Sequence, residues 1–229
     1  MLAIPLVLLL QMTPSADEII GRYVAREQET AAIGARLRYT RIQTEYDLAD
    51  PNSPKRLEKR ESRIWTDSGH VMELTVAVND GPVLNGGAQE GALSLDKAFG
   101  IRFDYGLIRP EPEVCRGCYL MSYEPKPKQP PRRSIPEEIL SRTGGTLMLD
   151  IDSGAILWLK GTLRKPFRKF IFGKVYEAEI QMSQEPEFGT PMTVAARIKV
   201  HYSQFGFNSY RLIELSFFGF ELRPETPSP

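Results

Sequence analysis

Much that would announce a particular chemistry is missing from this chain of 229 residues. Its two histidines, His70 and His201, are far apart in the sequence, and no serine sits in a Gly-x-Ser-x-Gly elbow. A hydrolase built on a nucleophile and its base therefore has no starting point. Neither sign of charge is in excess, with 29 acidic and 29 basic residues. Nothing in the whole-chain charge points to nucleic acid or to an acidic substrate. The apolar run at residues 2–10 is too short to span a bilayer, which takes about 20 residues. No internal repeat of fixed period is present. Cysteine is as scarce as histidine, with only Cys115 and Cys118. Neither follows closely on the apolar run, so lipid attachment to a cysteine there is excluded.

What is present favours a folded, turn-rich chain. Hydrophobic residues make up 41% and aromatics 10%, enough for a core that folds without a staple. Eighteen prolines and eighteen glycines provide for many turns. Residues 2–10 are aliphatic except for Pro5, and residues 11–16 turn polar and small. That is the length and order of a signal peptide over residues 1–16, with cleavage after Ser15 or Ala16. No Lys or Arg precedes the run, so a buried N-terminal strand is the competing reading. The expectation is an exported, soluble protein with one domain over residues 17–222 and a polar, proline-rich tail over 223–229.

Ser15 with Glu18 three residues on is a capping box, and Ile19, Ile20, Tyr23 and Val24 recur at helical spacing. One amphipathic helix over residues 17–31 follows, covering a sheet face. From Ala35 the period changes to two. Long polar strands are expected at 36–46 and 57–66, then one at 71–78 whose Met72, Leu74, Val76 and Val78 share a face. Residues 92–99 read as a short helix. Phe103, Tyr105 and Leu107 alternate, as do Tyr119, Met121 and Tyr123. A proline-rich crossing at 125–136 and a short helix at 136–142 lead to the clearest hairpin, at 145–163, which turns at Asp152-Ser153-Gly154. Further strands put Tyr176, Ala178, Ile180 and Met182 on one face, and Val194, Ala196, Ile198, Val200 and Tyr202 on one face. The last strand, residues 210–222, is apolar on both sides, with Leu212, Phe218 and Phe220 opposite Ile213, Leu215 and Phe217. The expected fold is mainly β (α+β): a strongly curved antiparallel sheet, an incomplete barrel of about nine or ten strands, covered by one or two helices.

The order of these parts carries a resemblance. A leading amphipathic helix, long polar strands, a strand ending in Asp80-Gly81-Pro82, a proline-rich crossing and the run Gly145-Thr146-Leu147-Met148-Leu149-Asp150-Ile151-Asp152-Ser153-Gly154 follow in that sequence. This layout resembles the LolA-like superfamily, the bacterial outer-membrane lipoprotein-sorting proteins and their relatives. The resemblance implies an apolar cavity for acyl chains, transport or sensing across the periplasm, and no covalent chemistry; it is an analogy of fold. The apolar strand faces then nominate Leu147, Leu149, Trp158, Ile180, Ile198, Val200 and Phe218 as cavity residues. The ligand would be a lipid or a lipoprotein acyl chain; the alternative is a filled core in a sensor or interaction module that contacts an envelope protein.

The remaining groups are weighed one by one. In an exported chain Cys115 and Cys118 form a disulfide closing a tight turn by default. A redox role would want the pair at a helix start within a βαβ unit, and a zinc site with His70 and His201 has no ligand spacing behind it. Asp150 and Asp152 resemble a carboxylate pair on the outer side of a strand, but Asp152 fits the turn. No catalytic residue, metal or cofactor is expected. Arg164, Lys165, Arg168, Lys169 and Lys174 interleave with Phe167, Phe170, Ile171 and Phe172. Cations among aromatics suit an anionic membrane surface, and the competing reading is a β-strand whose phenylalanines are core. Single-stranded nucleic acid, which also stacks on rings, is set aside for an exported protein.

Overall fold

Ser15 opens helix α1, Ala16–Gly34, by the expected capping box. Its backbone N–H donates to Glu18 Oε2 at 2.7 Å, and its hydroxyl accepts from Glu18 N–H at 3.2 Å. The computed structural model describes residues 14–67, 70–84, 87–90, 102–129, 135–169 and 173–224. Most of the expected signal segment lies outside these residues. So do the expected helix at 92–99, Phe170 to Phe172 and the end of the tail.

The chain after α1 is nearly all strand: β1 Leu37–Asp47, β2 Lys55–Asp67, β3 His70–Val78, β4 Gly81–Pro82, β5 Gln89–Glu90, β6 Phe103–Pro110 and β7 Cys118–Pro125. A short helix α2, Ile135–Leu140, precedes β8 Thr143–Asp150, β9 Ala155–Leu163, β10 Phe167–Lys169, β11 Gly173–Glu187, β12 Thr190–Gln204 and β13 Phe207–Leu222. All thirteen belong to one antiparallel sheet in the order β4-β3-β2-β1-β13-β12-β11-β9-β8-β7-β6, with β10 on β11 and β5 on β3. Ten of them have eight or more residues. The two end strands do not meet, so the sheet is an incomplete barrel with α1 over one face. Among the described residues no helix is long and apolar enough to cross a membrane.

Strand register explains where the core sits. Residues paired across an antiparallel ladder point to the same side. One row runs the breadth of the sheet as Leu107, Met121, Leu147, Leu159, Met182, Ala196, Leu215, Gln43, Arg60 and Val78. The next runs Tyr105, Tyr123, Gly145, Gly161, Ile180, Ile198, Ile213, Glu45 and Glu58. Both rows are apolar from β6 to β13 and turn polar at β1. Ile19 and Tyr23 of α1 join the apolar part in one buried cluster. The helix-covered face is thus two surfaces joined at the β13–β1 seam.

Two bulges overturn expected faces. Register shifts between Val175 and Glu177. Val175 therefore enters the core, and Tyr176 lies on the far face against His201, ring centroids 4.9 Å apart. In β13, Gly219 takes φ +65° beside the shift between Arg38 and Thr40. This returns Phe220 to the face of Phe217, and both rings meet Tyr39, at 5.4 and 5.9 Å. Phe218, placed with Phe220 by simple alternation, stays on the opposite face. A bulge adds one residue, and every side chain beyond it changes sides.

Candidate functional site

The seven nominated cavity residues do not line one space. Leu147, Leu149 and Ile180 are buried members of the cluster under α1. Ile198 and Val200 share that face but are half-buried at its margin. Trp158 pairs with Met148 on the opposite face, with Lys160 Nζ 5.6 Å from its ring. Phe218 is also on the opposite face and 47% exposed. Alternation puts Leu147 with Leu149 and Ile198 with Val200 on one face of their strands, but nothing in one strand says which of its two sides the helix will cover.

Aromatic rings fill the centre of the covered face. Phe103 packs edge-on against Tyr123 at 5.1 Å and against Tyr105 at 6.3 Å, beside Tyr23 in the same cluster. Burial pushes the Tyr123 hydroxyl up to about 12 and raises those of Tyr23 and Tyr105 as well. Gly161 makes the room for the Tyr123 ring, and its ladder partner Gly145 clears strand backbone. A Cβ on Gly161 would lie 1.9 Å from Tyr123 Oη, and one on Gly145 would lie 2.0 Å from the Lys160 carbonyl oxygen. The hairpin that supplies these glycines is therefore a seat for the Tyr123 ring.

Past the β13–β1 seam the same face is charged. Arg41 is 6% exposed and pairs with Glu73 through Nη2 and Oε1. Ser62 donates its hydroxyl to the same Glu73 oxygen at 2.8 Å. Arg211 of β13 meets Asp47 at 3.0 Å and Glu45 at 3.4 Å. The pairing is incomplete, since Arg41 Nε is buried with no hydrogen-bond partner among the described residues, and so charged and partly desolvated a surface is a poor lining for an acyl chain.

On the opposite face, a depression of about 520 Å³ lies across β1, β2, β3 and β13, lined by Arg38, Arg63, Trp65, Leu74, Glu221 and Arg223 among others. Arg38 Nε is held by Glu221 at 2.6 Å, and Arg223 Nη1 donates to the Thr66 carbonyl at 3.0 Å. Arg63 is exposed and makes no ion pair among the described residues. Smaller depressions of about 370 and 330 Å³ lie farther along this face, beside Trp158 and beside His201.

The basic segment after β9 divides. Arg164 is committed to Glu124, with Nε 2.8 Å from Oε2. Phe167, expected to reach a membrane, is instead 6% exposed. It packs in the core with the Arg142 guanidinium 4.7 Å above its ring, because β10 pairs it with Val175. Lys165 and Arg168 are exposed. Lys169 ends β10, and Phe170 lies outside the described residues.

Cys115 and Cys118 form the expected disulfide, with Cα atoms 5.1 Å apart. Their turn docks on the β8–β9 turn, where Ile151 N–H donates to the Gly117 carbonyl at 3.0 Å. Asp150, rather than Asp152, organises that second turn. Its carboxylate accepts from Asp152 N–H at 3.0 Å and from the Ser153 hydroxyl at 2.6 Å, and Gly154 closes it with φ +71°. His70 opens β3, whereas His201, near the other end of the sheet, is stacked between Tyr176 and Tyr210. Among the described residues no three metal-ligating side chains gather.

No protein-family model matches the chain, and no curated protein matches it. Solved structures do. The chain is similar to a LolA superfamily protein of Nitrosomonas europaea. The two share 9% identity over 93% of this chain and 96% of the other, with a TM-score of 0.43. MucB of Pseudomonas aeruginosa, solved in complex with MucA, follows at 9% identity over 92% of this chain and 99% of that one, with a TM-score of 0.24. The superfamily met here is the one that the layout of the sequence resembles. At these values the likeness carries no residue role or ligand over to this chain.

Sequence reasoning missed the buried Arg41–Glu73–Ser62 group and the Arg63–Trp65–Leu74 depression. Each joins strands whose pairing is not written in any one of them. The alternation of Arg41, Gln43 and Glu45 is visible in the sequence, where it reads only as a polar strand.

Proposed function

We propose that this chain is an exported, non-enzymatic binding module of the cell envelope, periplasmic in location, that recognises a protein partner through its sheet surface and keeps its core filled. The observation that supports this most is the aromatic packing of Phe103, Tyr105, Tyr123 and Tyr23 under α1. It occupies the space that an acyl carrier would leave open. The signal-like residues 1–16 and the Cys115–Cys118 disulfide favour an oxidising compartment. The mature unit in this reading is the single domain from residue 17 to residue 222. The depression beside Arg63, Trp65 and Leu74 is the surface proposed for the partner. A free guanidinium next to an aromatic ring suits an extended segment carrying carboxylate and apolar side chains.

A second reading, carriage of a lipid or lipoprotein acyl chain, draws on the half-buried strip of Ala196, Ile198, Val200 and Tyr202 beside the core. Native mass spectrometry after gentle extraction separates the two. The interaction module comes off at the mass of the bare polypeptide, and a photo-crosslinker at position 63 captures a protein. A stoichiometric lipid adduct with no crosslink would replace the first reading by the second.

A further inference from the structure

Two hairpins end side by side at the end of the sheet away from the disulfide. Register sets Arg168 beside Lys174, Lys174 beside Ser203, and Ser203 beside Asn208. The neighbouring row runs Lys169, Gly173, Gln204 and Phe207. Phe207 therefore stands in the row that starts in the basic segment, although it is distant in sequence.

Phe207 is 78% exposed, and Tyr210 of the same strand is exposed as well. Lys165 and Arg168 are exposed, and the Lys174 ammonium lies 4.6 Å from the Tyr176 ring centroid. None of these three cations forms an ion pair among the described residues. Of the acids on neighbouring strands, Glu124 is paired with Arg164 and Asp47 with Arg211, while Glu177 is exposed. The rim thus joins a protruding aromatic to an adjacent row of cations that faces the other side of the ladder, with Lys174 over the Tyr176 ring.

We propose that this rim contacts an anionic bilayer surface, with Phe207 entering the interface and Lys165, Arg168 and Lys174 facing the lipid headgroups. A bilayer accepts such a ring without shape complementarity, and the cations supply the preference for negative lipid. One ring and three charges give weak, reversible contact. This goes beyond the partner-binding reading and does not depend on it, since the depression beside Arg63 is formed by other strands.

The full chain is sedimented with vesicles of phosphatidylcholine alone and of phosphatidylcholine mixed with phosphatidylglycerol. Binding is expected with the mixed vesicles, falling as salt is raised. Phe207→Ser is expected to lower the partition coefficient roughly tenfold, the scale of withdrawing a large apolar side chain from an apolar phase. Arg168→Glu with Lys174→Glu should abolish the preference for phosphatidylglycerol. Val114→Ser, another exposed apolar position beside the disulfide at the other end of the sheet, should bind like wild type. In a direct reading of depth, Phe207→Trp should gain fluorescence that brominated acyl chains quench. Wild type that ignores the mixed vesicles, or Phe207→Ser that sediments as wild type does, would overturn the proposal.

Discussion

Gly145 and Gly161 are partners across the β8–β9 ladder, yet the absence of a side chain serves a different purpose at each. At Gly161 the obstacle is the Tyr123 hydroxyl; at Gly145 it is strand backbone. Gly161→Ala should cost about 2 kcal/mol by overpacking, and much of that should return in a Tyr123→Phe background. Gly145→Ala should show no such rescue. Urea unfolding of the four Gly161/Tyr123 combinations measures the coupling, and strict additivity would mean that the ring is not what keeps position 161 bare. Titration gives a second test at this scale. The Ser15 backbone N–H and hydroxyl hold Glu18 below its ordinary 4.5. A depressed carboxyl contributes stability that is present above the unfolded value and lost as pH falls through the folded one. In the full-length chain, which keeps Ser15, the melting temperature should therefore drop on acidification below about pH 4.5, and Glu18→Gln should flatten part of that limb. Asp47 and Asp80, lowered by their own partners, supply the rest. On the alkaline side Tyr39 and Tyr123 are pushed up to about 12 by burial. Their contribution is present below the ordinary value of 10 and lost as pH rises through about 12. In an absorbance titration they should ionise only with the unfolding transition, after the exposed tyrosines.

At the scale of elements, turns hold the assembly together. The disulfide loop and the β8–β9 turn dock on each other, and a Cβ on Gly154 would meet Arg26 Cγ of α1 at 2.5 Å. Cys115→Ser with Cys118→Ser should cost about 2 kcal/mol, the loop-entropy figure for so short a ring. Its melting temperature should then no longer respond to reductant. At the β11–β12 tip, Phe188 and Gly189 take φ +51° and +74°, a pair that favours Asn-Gly. Phe188→Asn should raise stability by about 1 kcal/mol in urea, because the left-handed backbone is unfavourable for a bulky L-residue. Much at this level was legible beforehand. The capping box, the hairpin at Gly145 to Leu163, and the alternating runs around Phe103 and Tyr119 depend on neighbours a few residues apart. Tyr176 and Phe220 were misplaced because a bulge is written in strand pairing rather than in composition. Phe167 was misjudged for a related reason: three residues of β10 were enough to turn its ring inward.

For the molecule as a whole, the seam between β1 and β13 is decisive. It joins the first strand to the last, and there the covered face changes from apolar to charged. A candidate cavity could be nominated from apolar strand faces, but its filling could not, since α1, β6, β7 and β8 meet only in three dimensions. The seam also makes the fold rich in contacts distant in sequence, so refolding should take milliseconds to seconds rather than microseconds. Ending the chain after Gln204, which deletes β13, should abolish cooperative unfolding, as followed by circular dichroism.

The same seam has a consequence in time. A chain delivered from its N-terminus presents β1 well before β13, which follows it by most of the sequence. For that interval β1, β2 and β3 have each other but no sheet to join. Thr40, Arg63 and Lys59 on one side, and Arg41, Gln43, Arg60 and Glu45 on the other, put polar residues on both faces of β1 and β2, among Leu37, Tyr39, Ile64 and Trp65. The meander is thereby composed to wait in water without self-association. A peptide of residues 35–82 should stay monomeric by ultracentrifugation where one of residues 103–182 precipitates; aggregation of the first would show that its polarity confers no such protection.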